Sequence, residues 1–136
     1  MSAFWDSLER SARPDQKFEV QRQTALREAE AGAIALFEIV TQDKPRLANI
    51  GVTASVDERT VSFKKGGLEV LVVTFGIDDT GRIRIHSPIF QFLKLSPAYV
   101  DVHDRERTVD LAGEWLGKSI EQVRANEPKF KALGLI

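Results

Sequence analysis

Hydrophobic and polar positions along this chain change period several times, and each change marks an element. Phe18, Ala25, Leu26, Ala29, Ala33, Leu36, Phe37 and Val40 recur at helical spacing, and the reverse of the first half of that stretch is charged. The pattern predicts a long helix that starts at Pro14, whose missing N–H costs nothing in a first turn, and ends near Gln42. Its second half is apolar nearly all round, with Gly32, Ala33 and Ala35 permitting close approach of another backbone, and reads as the buried spine of the domain. Pro45 stops it. Ahead of it, Ser2 caps a short amphipathic helix in an arm over 1–13, where Phe4, Trp5 and Leu8 share a face.

From residue 50 the period falls to two. Ile50, Val52, Ala54 and Val56 alternate with Gly51, Thr53, Ser55 and Asp57, the mark of a half-buried strand. Turns at 57–60, Lys65-Gly66-Gly67 and Asp78-Asp79-Thr80-Gly81 separate three more strands, over 61–64, 68–77 and 82–86. The 68–77 strand is apolar on both faces, whereas 82–86 alternates strictly. Asp78 to Gly81 has the composition of a type I turn with a glycine bulge, which pairs Ile77 with Ile83 and Phe75 with Ile85. At Gly66-Gly67, two-residue and three-residue loops differ by one position, and such a slip moves every side chain to the other face. The three-residue loop is preferred, because it joins Val61 and Phe63 with Leu71, Val73 and Phe75 in one core face. It leaves Val70 and Val72 on a back face with Thr53, Ser62, Lys64, Thr74, Arg84 and His86.

Downstream, Ser87 as cap and Pro88 at the first position predict a short helix over 89–95, with a strand as the alternative. Residues 99–103 alternate as a fifth strand, with Val100 and Val102 inward. Helices come next over 108–116, from Ser119 through a Ser-x-x-Gln box with Gln122, and from Pro128 to Gly134. The expected architecture is a single α+β domain over 1–136: an antiparallel four- to five-stranded β-meander packed on a long N-terminal helix and short C-terminal helices. This order is similar in outline to the frataxin family, with Ile83-Arg84-Ile85-His86-Ser87-Pro88 as the local likeness. The clustered acids of that family's first helix and strand edge are missing, with Arg22 and Arg27 interspersed, so it assigns no iron-binding residues.

Composition narrows the function classes. At 136 residues, 43% hydrophobic and 29% charged, the chain can bury one core without staples. Nineteen basic residues against twenty acidic ones give no global field that attracts nucleic acid or anionic membrane. The absence of cysteine removes disulfides, thiolate catalysis and cysteine-held metal. Asp6 and Glu9 interrupt the N-terminus where a signal peptide needs an apolar run, and Glu38 breaks the greasy stretch 31–40 far below the roughly 20 residues of a membrane helix. A soluble, cytoplasmic protein without a cofactor is expected.

Three constellations carry candidate chemistry. Gly113 to Ser119 lacks one residue of a phosphate-binding GxxxxGK[ST] loop and comes after a helix rather than a strand, which removes the geometry that cradles phosphate. The same segment, 109–126, has the turn glycine Gly117, the serine Ser119 and the inward Val123 of a helix-turn-helix. DNA recognition would then fall to Lys118, Gln122, Arg124 and Asn126. Against it, six basic residues from Arg105 onward meet five acidic ones, so no basic footprint forms. His86, Asp101 and His103 would approach a two-histidine, one-carboxylate metal site if the fifth strand neighbours 82–86, making a metal-dependent or small-ligand enzyme the other alternative. The first expectation is a non-enzymatic interaction module acting through self-association or a protein partner. Its contact residues would be the uncovered Val70 and Val72 together with Phe4, Trp5 and Leu8, since covering a valine is worth roughly 1.5–3 kcal/mol.

Overall fold

The computed structural model describes residues 2–79 and 81–136; for 2, 7–18, 44 and 79 it describes the backbone alone. It is an α+β fold whose ten principal elements run α1 (Ser2–Gln42), α2 (Lys44–Asn49), β1 (Val52–Asp57), β2 (Thr60–Lys65), β3 (Leu68–Phe75), β4 (Ile83–His86), α3 (Pro88–Phe92), β5 (Tyr99–Val102), α4 (Arg105–Ala125) and α5 (Glu127–Ala132). The strands form one antiparallel meander in the order β1-β2-β3-β4-β5. The core lies between one face of this sheet and a helical layer. α1 packs on β1, β2 and β3, while α4 packs on β3, β4 and β5. Ala29, Ala33 and Leu36 of α1 share a buried cluster with Trp115, Leu116 and Ile120 of α4 and with Phe63, Leu71 and Phe75 of the sheet. Gly32 makes the α1 contact possible, because a Cβ there would sit 2.8 Å from the Phe75 ring. Among the described residues, no helix is long and apolar enough to cross a membrane.

The arm and the long helix are one element. No glycine occurs before Gly32, and α1 continues from Ser2 without an end at Pro14. At about 1.5 Å per residue its 41 residues extend roughly 60 Å. The described side chains at 3–6 and 19–24 are exposed, and the first buried one is Ala29. Nor is the second half a spine buried all round: Ala31, Ile34, Ala35 and Ile39 are exposed on its outer flanks.

The β2–β3 hairpin combines both loop readings. Lys65 pairs with Leu68 around a two-residue Gly66-Gly67 turn, with Gly66 at φ 64°, a conformation glycine adopts without strain. Further along, Phe63 pairs with Leu71 and Val61 with Val73, two residues from the register of the three-residue loop but with the same side chains on the core face. A β-bulge between the two registers absorbs the extra residue, Val70. Val70 therefore does not lie on the back face: Val70 and Leu71 are both fully buried in the core. A bulge turns consecutive side chains to one side, which simple alternation forbids.

The β3–β4 connection is longer than expected. Phe75 pairs with Ile83 and Val73 with Ile85, two residues from the predicted register. Because side chains repeat every two residues, the faces survive the shift. Ile77 leaves the ladder and opens a 3₁₀ turn, where Asp78 adopts φ 56° and its carboxylate pairs with Arg82.

Of residues 89–95, the first four are helical, in α3, and none forms a strand. Ser87 accepts a hydrogen bond from the Phe90 N–H at 3.2 Å and starts α3. Ser119, in contrast, caps nothing. It is buried inside α4 and shares a 2.7 Å hydrogen bond with the Ser87 hydroxyl. The buried pair ties the α3 cap to the middle of α4, and Phe90 rests on Trp115 with ring centroids 5.5 Å apart.

Candidate interaction surface

Apart from the bulge at Val70 in β3, each strand alternates one side chain into the core and the next onto a second face, and the five strands place their polar set in rows. Asp57, Thr60, Thr74, Arg84 and Asp101 form one cross-strand row. Ser55, Ser62, Val72, His86 and Tyr99 form the next. The helices of the core cluster are all on the opposite side. Val72 is thus the single aliphatic residue in the middle of a polar face, half-buried by its neighbours Ser62 and His86.

The β4–β5 end of this face is internally satisfied. Arg84 donates through Nε and Nη2 to the two oxygens of Asp101 at 2.8 and 3.1 Å. Its guanidinium lies 4.3 Å from the centroid of the Tyr99 ring, a cation–π contact. The Arg84 hydrogen bonds hold the Asp101 carboxyl below the usual aspartate range; burial opposes the shift, while the charges of Arg84, Arg82 and His103 reinforce it. His86 Nε2 lies 2.7 Å from Gln91 Oε1.

These bonds involve two of the three candidate metal ligands. Strand pairing brings His86 beside Tyr99 and Arg84 beside Asp101. Asp101 is engaged by an arginine and His86 by an amide. His103 lies beyond the end of β5, beside a small cavity of about 150 Å³ lined with Phe75, Ile83 and Arg105. Among the described residues, no group of three histidine, aspartate or glutamate side chains converges to hold a metal ion. His86 and Asp101 occupy adjacent strands, His103 lies just past the second of them, and the three do not converge.

The helix-turn-helix alternative loses its turn. Residues 109–126 lie in α4 and its cap: the helix runs unbroken through Gly113 and Gly117 and ends at Asn126. Neither glycine has positive φ, and the space beside each is open. Lys118 pairs with Glu114 at 3.0 Å, and Asn126 donates back to the Gln122 carbonyl at 2.8 Å. Gln122 is half-buried and Arg124 exposed on the same helix. Residues 109–126 therefore supply one helix and not the two that the motif needs.

Of the predicted contact residues, Phe4 and Trp5 are 68% and 57% exposed, with their rings edge to face at 5.2 Å. Leu8 has a side chain outside the described residues. Val70 is in the core. Two features escape sequence reasoning. One is the apolar exposure of α1 on its two outer flanks, at Ile34, 43% exposed, and Ile39, 47% exposed. The other is the outer side of β1, next to a cleft of about 530 Å³ lined by Thr41, Leu47, Ala48, Gly51, Val52 and Ala54. Alternation located the strand, but its place at the sheet edge is a property of topology. No family model, curated protein or solved structure matches this chain.

Proposed function

We propose that this chain is a non-enzymatic interaction module that works by self-association, with α1 as its principal contact element. The observation that carries this reading is the apolar exposure on the outer side of α1. Ala31, Ile34, Ala35 and Ile39 are exposed on a helix whose other side is in the core. Val20, Phe4 and Trp5 extend apolar exposure toward the N-terminus, at 62%, 68% and 57%. A helix gains most of its stability from packing an apolar face, so a 41-residue helix whose described side chains at 3–6 and 19–24 are exposed is a natural place for a partner. Covering the exposed parts of Ile34 and Ile39 is worth on the order of 1 kcal/mol each, and an aromatic anchor adds more. Val72 is a lesser contact on the open sheet face. The cysteine-free composition fits the reducing cytoplasm.

Sedimentation of the wild-type chain and of Ile34→Asp tests this. Self-association in the wild type and its weakening in the variant are expected. A wild-type protein that stays monomeric at high micromolar concentration contradicts it.

A further inference from the structure

We infer that two copies of this chain pair antiparallel through the outer edge of β1, joining two five-stranded sheets into one of ten strands. The inference rests on the self-association reading and names its interface. One side of the β1 backbone faces no strand among the described residues, and such an edge is a template for another strand. Protein edges are commonly blunted by proline, a bulge, shortness or a mid-strand charge. β1 has none of these: its six residues pair with β2 without a register break, and its charge is confined to the terminal Asp57. The opposite edge, β5, is four residues long and carries Asp101, bound by Arg84.

The occupant is set by self-complementarity. With Ser55 on the two-fold axis, Thr53 lies opposite Asp57 of the second copy, and Lys64 is beside Thr53 on β2. Asp57, at the acidic end of each β1–β2 hairpin, then approaches Lys64 of the other on the same face. Among the described residues, neither Asp57 nor Lys64 has an ion-pair partner. On the core side, half-buried Ala54 and Val56 alternate, so each small residue meets the larger one of the second copy. The exposed flank of α1 lies over this edge. Thr41 lines the cleft beside β1, Glu30 lines a cleft with Glu58 and Arg59 at the β1–β2 turn, and Ile34 stands between them on the same flank. Edge pairing would bring Ile34 toward the second copy.

The absence of cysteine makes the test direct. Ser55→Cys should form a disulfide-linked dimer under mild oxidation, because directly opposed residues bring their Cβ atoms within roughly 4.5–5.5 Å. Lys118→Cys, on the exposed side of α4, should not. Asp57→Lys and Lys64→Asp should each weaken dimerisation by about fivefold, counting two symmetry-related contacts, and the double variant should restore it. Wild-type self-association without Ser55→Cys cross-linking and without charge-swap rescue overturns the inference, leaves β1 to a strand from another protein, and keeps the self-association reading. A monomeric wild type overturns both.

Discussion

Val70 and Leu71 are consecutive in β3, yet both are fully buried in the same core cluster. The bulge opposite Phe63 turns them to one side and converts a strand that looks two-faced in sequence into one with a single greasy face. Only Val72 remains on the other side.

The two valines should therefore behave differently. Val70→Ala leaves a cavity and is expected to cost about 2 kcal/mol, whereas Val72→Ala should cost less than about 1 kcal/mol. Urea unfolding of both variants separates them. Equal losses would place Val70 on the surface.

Continuity of α4 has its own signature. Gly113 and Gly117 are helical, exposed and free of neighbours at the Cβ position. Alanine at either should stabilise by about 0.5–1 kcal/mol, through helix propensity and a less flexible unfolded chain. At a turn with positive φ the same change would destabilise. Thermal unfolding of Gly117→Ala reads the sign.

The sequence made some of this legible and hid the rest for physical reasons. Strand faces are set by alternation, so Phe63, Leu71, Val73, Phe75, Ile83 and Ile85 are assigned to the core without coordinates. Proline and serine punctuation located α3 at Ser87-Pro88. Alternation does not reveal a bulge, because its extra residue leaves no compositional mark at Val70. Gly117 and Ser119 have the composition of a turn and cap, but Trp115, Leu116, Ile120 and Val123 are buried on one continuous helical face, and tertiary packing overrides local preference. The metal alternative depended on a neighbour relation that does hold, β4 beside β5. Arg84 engages the carboxylate of Asp101 there, and among the described residues no three such side chains converge.

The buried Ser87–Ser119 hydrogen bond should show coupling. Ser119→Ala leaves the Ser87 hydroxyl one partner short in the core, at a cost of about 1–2 kcal/mol. Ser87→Ala loses the α3 cap as well and should cost at least as much. The double variant should be less destabilised than the sum of the two. Strict additivity in a double-mutant cycle would rule out a direct bond.

Asp101 predicts an acid-side effect. Its folded carboxyl is held below the unfolded value of roughly 3.9 by Arg84. The pair's contribution is therefore fully present above that unfolded value and is lost as pH falls through the lower folded one. Asp101→Asn should reduce stability at pH 6, and the gap to wild type should narrow toward pH 3. Denaturant midpoints at the two pH values check this, and a gap that widens in acid would reverse the assignment.

Self-association decides the function proposed for this chain, and sedimentation velocity of the wild-type protein from low to high micromolar concentration measures it. The exposed α1 residues Ile34 and Ile39 and the open edge of β1 predict a concentration-dependent shift toward twice the 15.2 kDa chain mass. A single monomeric boundary throughout that range would contradict it.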